Sequence, residues 1–259
     1  MKKNWWLSVV LILVMLFLIG PFLIIFISAF GNEASLRFPP RGFTLDWFKK
    51  VLTMPMFLDS LKLSLRLGVF SSLIAMLLGL PVAYVTSRYD FRGKRFVELS
   101  TTLPVIIPQM VAGLALLRTF VMLNLFSIEM TLLIGHTAIV LPYVVRNVIS
   151  TLVNFPPSIE EAAVSLGASR VRSFFIVVLP NITTGLISAF ILTFITSFNN
   201  VPISLFLTGP GVSTLPIVMM TYMEYYFNPS IAALATILIA MTVGIVAISQ
   251  KLLGVSRMM

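Results

Sequence analysis

The sequence has no cysteine and a single histidine, His136. Disulfides, zinc–thiolate sites and thiol catalysis are therefore excluded, and one histidine cannot build a multi-histidine metal site. Charge is scarce too: 10% of residues are charged, against about 25% in a soluble globular chain. Only nine residues are Asp or Glu, against eighteen Lys and Arg, for a net charge of +9. No Gly-x-x-x-x-Gly-Lys-Ser/Thr run occurs, so the chain has no phosphate-binding loop of that kind. Short alternating apolar segments, the mark of a membrane β-barrel, are absent, as are internal repeats and low-complexity linkers.

What is abundant is apolar. The apolar fraction is 58% and the mean hydropathy is +1.03. A soluble fold of this length could not hide that much apolar surface, whereas a bilayer makes it the solvent-facing surface. Six runs are long enough to cross: Leu7–Phe30, Leu61–Ser87, Leu99–Leu123, Met130–Thr151, Ile176–Phe198 and Pro229–Leu253. Inside lipid the backbone must satisfy its own hydrogen bonds, so each is read as a helix. The predicted class is an all-α membrane protein with one domain over residues 1–259. Residues 1–56 form the first helix and an outer loop, and 57–253 form a five-helix core. Met1-Lys2-Lys3 resembles the start of a signal peptide, but the run behind it is too long for a cleaved one and is read as a retained helix.

The positive charge clusters at the ends of these runs, which reads as topology and not as a nucleic-acid surface. Lys2 and Lys3 precede the first span. Arg88, Arg92, Lys94 and Arg95 lie between the second and third, Arg170 and Arg172 between the fourth and fifth, and Lys251 and Arg257 near the chain end. The alternating connections Asn124–Glu129 and Asn199–Asn228 have neither Lys nor Arg. Both termini are thus expected in the cytoplasm. The first outer loop, with Arg37, Arg41, Lys49 and Lys50, is an exception partly balanced by Glu33, Asp46 and Asp59. Within it, Phe43–Phe48 reads as a short amphipathic segment with Trp47 at the membrane interface. Pro81, Pro104 and Pro108 fall inside spans, where they kink a helix. Packing irregularity and a bent helix lining a pathway both fit them.

The most informative stretch is the connection from Phe155 to Ser169. Pro156 and Pro157 stop the preceding helix. Ser158 and Glu161 have capping-box spacing, and Glu160 and Glu161 suit the positive end of a helix dipole. Ile159, Ala162, Ala163 and Leu166 share a face. Gly167 can take the left-handed conformation that ends a helix, and Ser169 can cap another. The reading is a short helix at about 157–168, a tight turn and a second helix. The striped face either docks into a partner's groove or packs on its own bundle.

Glu161-Ala162-Ala163, three residues, Gly167, nine residues, Val177, one residue and Leu179-Pro180 resemble the EAA motif of binding-protein-dependent ABC importer permeases. The usual pattern has Ile where Val177 stands. Asp90-Phe91-Arg92-Gly93-Lys94 looks like that family's cytoplasmic turn, and Leu103-Pro104 with Pro108 like its kinked third helix. Within the family the chain resembles the second permease of spermidine/putrescine systems, through Phe38-Pro39-Pro40-Arg41-Gly42-Phe43-Thr44, Leu207-Thr208-Gly209-Pro210 and Ala233–Leu238. The resemblance implies a coupling helix that sits in a cleft of an ATP-hydrolysing subunit, with Glu160, Glu161, Ala162, Ala163 and Gly167 as coupling residues. It implies no enzyme activity in this chain, with ATP and Mg bound by the partner. The implied partners are an ATP-binding subunit dimer, a second homologous permease and an extracytoplasmic substrate-binding protein. Polyamine permeases of this type tend to carry an acidic pair near the end of span five. Here stand Asn199 and Asn200, two neutral amides that also suit other small polar solutes, such as amino acids, opines or organophosphonates.

Gln109, Asn199 and Asn200 are the candidates for the translocation path. Arg118 reads equally as pore lining or as an outer-end snorkel. Arg146 reads as a snorkel at the other end. His136 is either a packed, hydrogen-bonded side chain or a proton carrier. Lys62 and Arg66 read as interface anchors, and Glu224 as an outer-loop residue that either contacts a binding protein or is solvated. A stand-alone secondary transporter would show inverted repeats and midplane carboxylates, and a membrane enzyme would need a converging acid, base or metal set. Neither pattern is present in the sequence.

Overall fold

The computed structural model describes residues 5–125 and 127–252, with backbone alone for 248–252. Lys2, Lys3, Arg257 and the Lys251 side chain therefore lie outside the described residues. Every regular element described is helical. The only strand-like pairings among the described residues are isolated bridges, Gly31 with Phe43 and Gly209 with Val212.

Among the described residues four helices are long and apolar enough to span a membrane: α1 (Trp5–Ser28), α3 (Pro55–Arg88), α6 (Ile128–Val153) and α13 (Pro229–Leu252). Two further crossings are bent. α4 (Lys94–Ile106) and α5 (Gln109–Met122) meet at 107°, and Arg170–Asn181 meets α10 (Thr183–Phe198) at 70°. With each bent pair taken as one span the total is six. The first bend follows from Pro108, which disfavours helical backbone in the residue before it. Ile107 is accordingly extended, with φ −69° and ψ 131°. The second is built from α8 (Arg170–Ser173), a π-helical turn at Phe174–Val178 and α9 (Leu179–Asn181). Pro180 removes a backbone donor there, and Ile182 falls outside the helical region at φ −97°, ψ 7°. The fifth span is thus not the straight run Ile176–Phe198.

Two other expectations are corrected. The connection Asn199–Asn228 is not a plain loop but holds α11 (Pro202–Leu207) and α12 (Leu215–Tyr225). Pro202 is preorganised for a first helical turn, and α12 buries Leu215, Ile217, Val218 and Tyr222. α3 begins at Pro55 and not at Leu61, which places Lys62 and Arg66 inside the helix.

Contacts cluster into two units. The first comprises residues up to Asp59 together with Val218–Ala247. In it α2 (Asp46–Thr53) is tied back by Trp47, whose Nε1 donates to the Gly31 carbonyl at 2.7 Å. Phe48 packs against Phe30, and Phe57 meets Tyr222 edge to face at 5.1 Å between ring centroids. In α1 only Ser28 is buried. A helix apolar all round belongs in lipid or against other apolar helices.

The second unit contains Ser60–Ile217. Its core is α6, where Leu132, Val140, Val144, Val145, Val148 and Leu152 are inaccessible to solvent or nearly so. Ala75 and Ala83 of α3, Val178 and Ile182 complete that core. α10 lies close along α6. A Cβ added at Gly185 would fall 2.2 Å from Thr151 Oγ1, so the backbones approach as small residues allow in membrane bundles.

Candidate functional site

The connection after α6 forms α7 (Pro157–Ser165), a tight turn and α8. Helix α7 does not start with the capping box the spacing suggests. Pro157 occupies the first turn, where its missing N–H costs nothing, so Pro156 is the N-cap and no side chain caps the helix. Ser158 is then too far inside to cap. The other end is as the sequence suggests. Gly167 has φ +95°. Its N–H donates to the Val164 carbonyl at 2.9 Å, and that of Ala168 to the Ala163 carbonyl at 3.1 Å. These two bonds define a Schellman ending. Ser169 caps α8 by accepting from the Arg172 amide at 3.2 Å.

The apolar stripe faces outward. Leu166 is 90% exposed and Ile159 45%. Glu161 and Ala162 are exposed as well, and Ala163 is half-buried. Most of the stripe, Ile159, Ala162 and Leu166, is thus not covered by the rest of this chain. The one buried residue of α7 is Glu160. Its Oε1 accepts a short hydrogen bond from Tyr84 Oη, and its Oε2 lies 3.5 Å from Arg88 Nε. The Glu160 carbonyl accepts from Ser173 Oγ at 3.3 Å. Arg88 also donates from Nη2 to the Phe155 carbonyl at 2.9 Å, and its guanidinium lies over the Phe155 ring. Beside this cluster is a cavity of about 320 Å³, lined by Arg88, Tyr89, Pro157, Glu161, Val164 and Arg170 among others. Arg170 Nη1 donates to Tyr89 Oη at 3.3 Å. The sequence reading used Arg88 only as a topology charge and passed over Tyr84. Their spacing of four on one helix was the available signal.

A second polar feature runs through the second unit. Asn200 Nδ2 donates to Gln109 Oε1 at 2.9 Å. Asn200 Oδ1 accepts from the Ile203 amide in the first turn of α11 at 2.9 Å. Ser204 Oγ donates to the Asn200 carbonyl at 2.7 Å and lies 3.0 Å from His136 Nε2. His136 Nδ1 lies 2.9 Å from Ser197 Oγ, and Ser197 Oγ 2.9 Å from Ser71 Oγ. The chain of bonds joins α5, α11, α6, α10 and α3. His136 is thus packed and bonded on both ring nitrogens, with no solvent exposure. Gln109 and Asn200 come together at the Ile107–Pro108 break, whereas Asn199 is exposed and Asn200 buried.

Arg118, on α5, and Arg146, on α6, are both exposed. Arg66 lines a cavity of about 150 Å³ with Phe70 and Glu129. Glu224 is exposed on α12. Among the described residues no group of three or more His, Cys, Asp or Glu side chains could hold a metal ion.

Residues 71–256 match the family described as "binding-protein-dependent transport system inner membrane component". The chain belongs to this family. That span contains α7, the Glu160 cluster and the whole polar chain. This permease is 33% identical over 249 residues to the putrescine transport system permease protein PotI of Escherichia coli K12, covering 93% of this chain and 88% of the relative. It is 32% identical over 230 residues to the spermidine/putrescine transport system permease protein PotC of the same organism, covering 89% and 87%. In fold it is similar to a chain of a bacterial ABC transporter involved in the import of the acidic polysaccharide alginate, with a TM-score of 0.75, 19% identity and 94% of both chains covered. It is the permease subunit of a binding-protein-dependent importer.

Proposed function

We propose that this permease forms half of the translocation path of a polyamine importer and that α7 is its coupling helix. One permease domain spans residues 1–259, with both termini in the cytoplasm. A second, homologous permease supplies the other half of the path. An extracytoplasmic binding protein delivers the solute, and a dimeric subunit that binds ATP and Mg hydrolyses ATP. When ATP closes that dimer, the coupling helices are drawn together and the path opens outward. Hydrolysis and product release reset it.

The reading of α7 is carried by one observation. A short helix carries an outward apolar face, Ile159 and Leu166, while its only buried side chain is a carboxylate. Such a face suits a groove on another protein. Glu161, Ala162 and Ala163 then contact the ATP-hydrolysing subunit, and Gly167 shapes the turn. The solute passes the Ile107–Pro108 break, where Gln109 and Asn199 offer amide groups and Asn200 holds Gln109 in place. The polyamine assignment is supported by the relatives PotI and PotC, whose names give putrescine and spermidine/putrescine.

The test is ATP hydrolysis by the reconstituted assembly with its binding protein, against spermidine, putrescine, amino acids, opines and organophosphonates. Stimulation by spermidine or putrescine is expected. Stimulation by another class moves the substrate and keeps the importer. No ligand-stimulated hydrolysis in a complete assembly refutes the coupling role.

A further inference from the structure

We infer that Glu160 is a positioning residue, held by Tyr84 and Arg88, that joins α7 to α3 so that the two move as one body. The inference rests on the reading of α7 as the coupling helix and gives its two adjacent glutamates different tasks. Successive residues on a helix point about 100° apart. Glu161 faces outward, toward a partner, and Glu160 faces the body of the permease.

The geometry is that of a joint. Both carboxylate oxygens are engaged by α3, Oε1 by Tyr84 and Oε2 by Arg88. The backbone of the same residue is held by Ser173 at the end of α8. Arg88 reaches on to the Phe155 carbonyl, at the start of the link into α7. Tyr84 is itself wedged against Phe174, with ring centroids 4.8 Å apart. The Glu160 carboxylate therefore ties α7 to α3, its backbone carbonyl ties α7 to the following helix, and Arg88 ties α3 to the preceding link. The side chains of the pair are only 8% and 10% exposed. An ion pair so buried adds little stability that apolar packing could not supply. What it adds is direction: a carboxylate hydrogen-bonded by Tyr84 and ion-paired with Arg88 fixes one orientation of α7 against α3, which an apolar contact would leave free to slide. Force applied to the outward face of α7 is then delivered to α3.

The test uses the full chain assembled with its partner subunits in nanodiscs. The chain has no native cysteine, so Arg92→Cys and Ser165→Cys carry spin labels just after α3 and on α7. In this parent the inter-label distance is a single narrow distribution, and the coupling-helix label responds to ATP. Glu160→Gln and the milder Tyr84→Phe are expected to broaden the distribution. With putrescine as probe, solute transported per ATP hydrolysed falls about fivefold or more. A narrow distribution in both variants overturns the inference, even if melting temperature drops, because that is the result of a merely structural contact. If Glu160→Gln does not insert, Tyr84→Phe decides alone by the same distance readout. A parent whose α7 label ignores the ATP-hydrolysing subunit overturns the coupling reading and this inference with it. A coupled parent with coupled variants overturns the joint alone.

Discussion

Replacing Gly167 by alanine isolates one physical term. A Cβ built at this position meets nothing within 4 Å, so the substitution creates no clash. What it does is force an L side chain to φ +95°. Left-handed backbone costs such a residue roughly 1–2 kcal/mol. That corresponds to a loss of about 5- to 30-fold in the population of the closed turn. The bonds at stake are those from the Gly167 and Ala168 amides to Val164 and Ala163. Hydrogen exchange over residues 160–170, read by mass spectrometry on the purified permease, should show these amides losing protection by that factor while α6 is unchanged. The chain supplies its own control. At the end of α5 the same pair of bonds is closed around Asn124, at φ 55°, from Asn124 N to Val121 O and from Leu125 N to Phe120 O. Asparagine tolerates the left-handed region better than alanine, so Gly167→Asn should lose less protection than Gly167→Ala. Equal protection in the alanine variant and the parent refutes the argument. So does an asparagine variant that falls as far as alanine.

Three further outcomes are expected. His136→Phe keeps an aromatic ring but removes one partner each from the Ser197 and Ser204 hydroxyls, which keep Ser71 and the Asn200 carbonyl; at about 0.5–1.5 kcal/mol for each bond lost, unfolding in detergent should show a loss of about 1–3 kcal/mol. Asn200→Ala removes the acceptor of the Ile203 amide and the bridge to Gln109; a buried amide left without its partner costs about 1–3 kcal/mol, and uptake assays should show impaired transport with the assembly intact. Gly185→Leu drives a side chain into Thr151; overpacking of this kind costs about 1–3 kcal/mol, and the melting temperature of the purified permease should fall.

The sequence made some of this legible and hid the rest for physical reasons. Long apolar runs announce membrane helices because lipid admits little else, and α1 and α6 stand within two residues of their expected bounds, while α3 starts a turn and a half earlier. Pro108 announced a kink, but nothing local fixes its size, and the 107° bend depends on what α5 packs against. Pro180 was in view only as part of a motif, so the bend at Ile182 was missed. The stretch 199–228 has too few residues per apolar run to suggest a span, yet its two short helices exist because tertiary burial holds them. For α7, Gly167 and Ser169 were readable because turn and cap chemistry is local. Ser158 misled because Pro157 shifts the helix start ahead of it. The glutamate roles were not separable in sequence. Only the fold puts Tyr84 and Arg88, some seventy positions earlier, against Glu160 and not Glu161.

The distribution of buried polarity fits the mechanical demands on such a subunit. Among the described residues Glu160 is the one buried carboxylate, and it sits where α7 meets the end of α3. The chain deeper in the second unit uses hydroxyls, amides and one imidazole, and no carboxylate. A typical hydrogen bond of this sort contributes only about 0.5–1.5 kcal/mol net, so helices joined by such bonds can exchange partners at modest cost. Stripping one partner from a buried ion pair costs about 3–5 kcal/mol. With α7 as the proposed coupling helix, the joint expected to stay closed through a transport cycle is the ionic one. The contacts expected to rearrange under that proposal, between the broken α4–α5 span, α10 and α11, are the uncharged ones. α3 belongs to both sets, through Ser71 at one level and through Tyr84 and Arg88 roughly 20–25 Å further along its axis. Under the proposed coupling role, a displacement imposed on α7 is expected to reach the weakly bonded interior through a helix that is ion-paired at one end and joined by uncharged contacts at the other.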